Sequence, residues 1–307
     1  AMNPSLVGSE MCIRDSTDGH MNNPNADNIV VDYVKDQPFL SYVRPEQAWY
    51  VRWLIEAAER FFGRSKIETL YRQVKTQTFS IEGFLSEAFR IAKIEHHFDT
   101  AQLAKLPSSG PLVFVANHPF GVIDGLALCD LAVQARGDFR ILIHSFLCQD
   151  SDLAEYFLPV DFSESKTAIK NNIRSKQIAQ QALRQGIPLL VFPSGYVSTA
   201  DRKGFGKVID APWTTFAAKM IRDANATVVP VYFNGQNSRI FHIASQFSEA
   251  MRSAALMNEV TKRFGKPLHT RIGDPLDWEQ LEAVGNRQQL TEFLYFQVQA
   301  LARDAQR

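Results

Sequence analysis

The segment VFVANHPFGVIDG, residues 113–125, carries His118 and Asp124 with five residues between them. A carboxylate bonded to one imidazole nitrogen fixes the tautomer and leaves the other nitrogen free to take a proton. A loop of this length can fold Asp124 back toward His118, with Gly121 and Gly125 permitting close backbone approach. A plainer explanation exists, in which Asp124 caps a helix and His118 is a satisfied loop histidine. The choice depends on the elements that carry the two residues.

Those elements show as a change of period. From Arg44 the text is helical: PEQAWYVRWLIEAAERFFG has a proline suited to a first turn, aromatic and small residues at helical spacing, and a terminating glycine. SKIETLYRQVK and SIEGFLSEAFRIAKIEHHF continue the helical pattern to about Phe98. Beyond it come short apolar runs, PLVFVA, FRILIH, FLPVDF, PLLVFP, TVVPVYF and LHTRIG, most of them separated by helical text. Strands alternating with helices predict an α/β fold, a largely parallel, mixed sheet covered by helices on both faces. In such sheets ligands lie outside the carboxyl ends of the strands, and His118 directly follows one strand.

The expected organisation is therefore a lead-in over 1–43, a helical region over 44–100 and an α/β domain over 101–307. The first twenty residues have no periodicity; SLVGSEMCIRDS reads as adaptor-derived and GHM as a cloning scar, so the lead-in is expected to be artefactual or disordered, with the authentic chain starting near Met21.

Composition narrows the function. Thirty-three Lys and Arg balance thirty-three Asp and Glu, so no global field favours nucleic acid, and an anionic partner must be held locally. Cys12, Cys129 and Cys148 form neither a disulfide framework nor a paired metal-ligand pattern, which predicts a reducing compartment and no metal. No run approaches the ~20 apolar residues that span a bilayer. Trp49, Tyr50, Trp53, Phe61 and Phe62, interleaved with Arg52 and Arg60, have the composition of an interfacial helix, although aromatics at this spacing also suit a packed core.

NHPFGVIDG, FPSGYVS and VVPVYFNGQNSR, in this order, resemble the glycerophospholipid acyltransferase superfamily, specifically its branch of haemolysin-like and lyso-ornithine-lipid acyltransferases. The likeness covers about residues 80 to 275. It implies transfer of an acyl group from acyl-CoA or acyl carrier protein to a hydroxyl of a lysolipid at the cytoplasmic face of the membrane, with no bound cofactor. His118 matches the motif's general base and Asp124 the aspartate that orients it. Asn117, Pro119, Phe120 and Gly121 of the first motif, and Phe192, Pro193, Ser194, Gly195 and Ser198 of the next, are expected to line the substrates, as are Asn237 and Arg239 after the last strand. Arg202 and Lys203, with Lys207 in the glycine-containing DRKGFGKV, are expected to receive the phosphates of coenzyme A or the acidic surface of a carrier protein.

Three departures from the superfamily's commonest pattern bear on the acceptor. The usual spacing has four residues between His and Asp, Ser194 replaces a glutamate, and Asp161 stands near a place often held by a phosphate-binding arginine. A lyso-aminolipid, or another lysolipid, fits these changes better than lysophosphatidic acid. Two alternatives remain at this level. Ser194 with His118 and Asp124 would make a serine esterase, although Gly-x-Ser-x-Gly is absent and Pro193 suits that turn poorly. A non-catalytic lipid-binding protein would keep the fold without the chemistry.

Overall fold

The computed structural model describes residues 33–34, 49, 63–75, 79–201, 204–246 and 249–303. In chain order the elements are α1 (Arg64–Val74), α2 (Ile81–Ala92), β1 (His96–His97), α3 (Thr100–Leu103), β2 (Leu112–Ala116), α4 (Val122–Arg136), β3 (Arg140–His144) and β4 (Phe157–Val160). Then follow α5 (Lys166–Arg184), β5 (Leu189–Val191), β6 (Thr199–Ala200), β7 (Val208–Ile209), α6 (Phe216–Ala224), β8 (Thr227–Phe233), α7 (Arg239–Ala244) and α8 (Glu249–Arg263). The chain closes with β9 (Leu268–Ile272), α9 (Trp278–Glu282) and α10 (Arg287–Arg303).

Seven strands form one mixed sheet in the order β1-β9-β8-β2-β5-β3-β4, and β6 pairs with β7 in a separate hairpin. The run β8-β2-β5-β3-β4 is parallel throughout, while β9 joins β8 antiparallel. Side chains alternate across the pleat. Leu112, Phe114 and Ala116 of β2 face one core with α2 and α4, whereas Val113 and Val115 face the other with α5, α6 and α10. Both faces are dry, which explains why the strands read as continuous apolar runs. Truncating the wholly buried Phe114 to alanine would cost about 3–5 kcal/mol.

Pro230 lies within a central strand without breaking the ladder. Pairing of β8 with β9 begins only at Val231, and at Pro230 the bond runs from the Gly273 N–H to the proline carbonyl, 2.8 Å. No donor is needed there.

The sheet starts earlier than its sequence suggests. α2 stops at Ala92, with Lys93 in the left-handed region at φ 52°, and His96–His97 then pairs with Leu268–His269 as an edge strand. The 101 boundary expected for the α/β domain therefore falls inside it. Of the lead-in over 1–43, all but Tyr33 and Val34 lies outside the described residues. Tyr33 is docked on α5, its hydroxyl accepting a 2.8 Å hydrogen bond from the Asn171 amide. The aromatic segment 45–62 lies outside the described residues apart from Trp49, whose side chain is exposed.

Candidate active site

Connections diverge between β2 and β5. β2 leads through α4 past β5 to β3, whereas β5 leads through α6 the opposite way to β8. Such a switch opens a crevice outside the carboxyl ends of the two strands. Residues 117–121 enter it from β2 and residues 192–198 from β5, so two of the three motifs meet there.

Asn117 ends β2 and spends its side chain on the neighbouring strand. Its Nδ2 donates to the Phe233 carbonyl at 3.0 Å, and its Oδ1 accepts from the Phe233 N–H at 2.7 Å. These are the two bonds a strand partner makes, so Asn117 extends the β2–β8 ladder and is not available to a ligand, contrary to its expected substrate-binding place. His118 is then aimed by three contacts. Its Nδ1 lies 3.0 Å from Asp124 Oδ1, its ring stacks on Phe192 at 3.9 Å between centroids and 25° between planes, and its carbonyl accepts the Ser198 N–H at 2.8 Å.

The His118–Asp124 contact is close but not a straight hydrogen bond, and neither of the two buried atoms has another hydrogen-bond partner. The other imidazole nitrogen, Nε2, has none among the described residues, and the side chain is 17% exposed. Asp124 itself is wholly buried in the first turn of α4, where the helix dipole favours a negative charge. Its second oxygen accepts the Phe120 N–H at 2.8 Å. Asp124 thus braces the helix start and faces the imidazole at once, combining both explanations open from the sequence.

Gly121 caps α4 at φ 77°, and a Cβ there would approach Leu256 and Val197 at 3.1 and 3.2 Å. Both backbone and space require glycine. Phe120 is a core residue rather than a substrate contact, buried beneath Gly235 and under the Arg263 guanidinium, 4.4 Å from its ring centroid. Pro119 is buried beside it.

From β5, Phe192 stacks on His118 and Pro193 accepts from the Thr214 N–H and hydroxyl at 2.9 and 3.1 Å. Ser194 is 3% exposed, and its hydroxyl donates to the Tyr196 carbonyl at 2.9 Å. Among the described residues no hydrogen bond joins it to His118, so the triad required of a serine esterase is not assembled. Gly195 turns the chain at φ 67°.

Asp210 is a buried carboxylate that sequence reasoning missed. It accepts the Ser198 hydroxyl in a short hydrogen bond, the Trp213 indole N–H at 3.1 Å and, more loosely, the His118 N–H at 3.4 Å. It ties the β6–β7 hairpin to the backbone of His118. Its one sequence signal is a lone acid in VIDAPW, between apolar residues and a proline. Ser198, expected to contact substrate, is engaged with Asp210 instead.

Asn237 and Arg239 follow β8, the strand beside β2. Arg239 is exposed at the first position of α7, whereas Asn237 is buried with neither amide atom partnered among the described residues. Arg202 and Lys203 lie outside the described residues. The buried Cys129 and Cys148 stand apart from this chemistry. Burial pushes both thiols up, that of Cys148 to about 12, which leaves them without thiolate. Among the described residues no group of three or more His, Cys, Asp or Glu is placed to hold a metal.

Residues 41–304 match the family described as Acyltransferase. Two proteins similar to this chain are called lyso-glycine lipid O-acyltransferase. That of Phocaeicola vulgatus is 28% identical over 200 residues, covering 62% of this chain and 68% of the relative. The one from Bacteroides thetaiotaomicron has the same identity and covers 70% of that relative. The crystal structure of the 1-acyl-sn-glycerophosphate acyltransferase PlsC from Thermotoga maritima is 14% identical, with a TM-score of 0.48 over 84% of this chain and 98% of that one. Since the family match runs through both halves of the crevice and most of the chain around it, this protein belongs to the Acyltransferase family and is an acyltransferase.

Proposed function

We propose that the chain moves a fatty acyl group from a thioester, acyl-CoA or acyl carrier protein, to the hydroxyl of a lysolipid, with His118 as general base. The observation that carries this reading is the pairing of Nδ1 with the buried Asp124 while Nε2 has no hydrogen-bond partner among the described residues. With a proton on Nδ1 facing Asp124, Nε2 would present a lone pair to the crevice. The acceptor oxygen gives its proton to Nε2 as it attacks the thioester carbonyl. The carbon–sulfur bond breaks, and the proton passes from Nε2 to the departing thiolate. Asp124 stabilises the transient imidazolium without itself changing protonation. Holding both substrates against this base supplies the rest through proximity.

A lyso-glycine lipid or a related lyso-aminolipid is the proposed acceptor, in keeping with the two relatives' names and with the departures from the phosphate-binding pattern. Arg202 and Lys203 are the proposed contacts for the donor's phosphates, and Arg239 for the acceptor headgroup. The reaction is placed at the cytoplasmic face of the membrane. No helix among the described residues is long and apolar enough to cross a bilayer, so the attachment proposed is peripheral.

The test is thiol release from acyl-CoA or acyl carrier protein in the presence of lyso-glycine lipid. His118→Ala should lower transfer about a thousandfold. A variant as active as the wild type would refute the assignment. Ser194→Ala should stay within about threefold of wild type; a loss as deep as that of His118→Ala would restore the esterase.

A further inference from the structure

Six of the ten large apolar side chains exposed among the described residues belong to segments that surround the crevice: Phe162, Tyr196, Phe205, Ile209, Ile240 and Met251. Phe162 follows β4, Tyr196 follows β5, Phe205 and Ile209 belong to the β6–β7 hairpin, and Ile240 opens α7 after β8. Met251 is in the first turn of α8, the end that reaches the site: the neighbouring Arg252 donates to the Val197 carbonyl at 2.9 Å. All six thus lie at the carboxyl edge of the parallel strands. Phe162 and Tyr196 even stack on each other, 5.5 Å between centroids, while remaining nearly half exposed.

Charge follows the same rim. The described residues of segments 162–170, 196–209 and 239–252 include five Lys and Arg against three Asp and Glu, in a chain whose totals are equal at 33. Lys166, Lys170, Lys207 and Arg239 are exposed on it. An apolar ring interleaved with cations around the mouth of a site is the composition of a surface that inserts shallowly into an anionic bilayer. An acidic carrier protein would complement the charge, but it offers no reason for apolar side chains on five separate elements around the opening.

From this we infer that the crevice rim is the membrane-docking surface, seating Phe205, Ile209 and Ile240 among the acyl chains of an anionic leaflet while Lys207 and Arg239 meet its headgroups. The inference rests on the lysolipid-acyltransferase reading, since docking by the rim delivers an acceptor to His118 without its leaving the bilayer. Affinity then comes from the mouth of the site, whatever the aromatic N-terminal segment adds.

Co-sedimentation with phosphatidylcholine vesicles, with and without phosphatidylglycerol, tests it on the full chain. Wild type should bind the anionic vesicles and release them as salt is raised. Phe205→Glu combined with Ile240→Glu should lower the bound fraction about tenfold or more and lower transfer to a vesicle-embedded acceptor by a similar factor. Transfer from acyl-CoA to a short-chain lysolipid monomeric in solution should stay within about twofold, which also shows that the variant folds. Vesicle binding equal to wild type overturns the inference. So does a loss confined to reactions with acyl carrier protein, which would make the rim a carrier-protein dock. If wild type transfers to no acceptor, the catalytic reading falls while sedimentation still judges the rim.

Discussion

Two histidine–carboxylate pairs hang from the same helix, and they differ in what becomes of the second nitrogen. His118 meets Asp124 in the first turn of α4, and its Nε2 has no hydrogen-bond partner among the described residues. His96 meets Asp130 two turns further on at 2.9 Å, and its Nε2 lies 2.9 Å from the Thr270 hydroxyl. His96 also packs between Phe89 and Phe98, with centroids 5.6 and 4.8 Å away, and its side chain is 6% exposed. Asp, His and Thr in line are the parts of a charge-relay group, yet both imidazole nitrogens are satisfied inside the protein. The pairing alone therefore makes no site. In the proposed reading it is the open nitrogen at the carboxyl edge of the sheet that sets His118 apart.

The largest expected effect separates the two pairs. His118→Ala should remove about a thousandfold from transfer per folded molecule. His96→Ala should do the reverse, destabilising by about 2–4 kcal/mol because Asp130 and the Thr270 hydroxyl lose their partner, with kcat per folded molecule within about twofold. Calorimetry beside thiol release measures both, and a His96→Ala protein that keeps its stability but loses transfer would dissolve the contrast.

Asp124→Asn comes next, with transfer lowered about a hundredfold, because an amide can donate to Nδ1 and turn the proton toward Nε2. Its Oδ1 can still accept the Phe120 N–H, so the fold should lose only about 1 kcal/mol. Wild-type kcat in that variant would mean that Asp124 supports the loop alone.

A third histidine gives the smallest effect and shows what burial does without a carboxylate partner. His242 is almost wholly buried, its Nδ1 accepts the Ala200 N–H at 3.3 Å and its Nε2 has no hydrogen-bond partner among the described residues. Burial lowers its pKa below the ordinary 6.5, and this outweighs the pull of the Asn237 backbone and Glu259. The unfolded chain thus binds the proton more readily than the folded one. Stability is complete above about pH 6.5 and declines as pH falls through the lower folded value. Nearby Glu259 is pushed up by burial but held below 4.5 overall by the Ser238 hydroxyl and N–H and by Lys262, so its contribution is lost at still lower pH. Thermal melts from pH 7 to 5 should fall by roughly a few degrees in wild type and less in His242→Gln. Equal slopes would remove His242 as the cause.

The contrast also marks how much was legible. All six runs are strands; β2 and β5, buried on both faces, read as uninterrupted apolar words, whereas β9 alternates in burial and carries polar residues. His118 and Asp124 were legible because a single loop and one helical turn separate them. His96 and Asp130 are 34 residues apart and meet only through packing of α2, β1 and α4, which no local pattern encodes. β1 escaped for a related reason, since two histidines have no strand propensity and are extended only because Leu268 and His269 pair with them. The β6–β7 hairpin is two residues a side, too short for a period to appear. Asp210, which fixes that hairpin to His118, was hidden with it. Asn117 and Phe120 lie in the motif, yet their side chains turn to β8 and to the core, and a motif does not write which way a side chain faces.

One helix carrying both carboxylates works as a gauge. Asp124 and Asp130 are six residues apart, about 9 Å along the axis of α4. A slip of a single residue would move both by about 1.5 Å, opening a 3.0 Å contact at the sheet edge and a 2.9 Å contact in the interior together. The inner pair, clasped by Thr270 and two phenylalanine rings, thus sets the depth at which the outer carboxylate meets its imidazole.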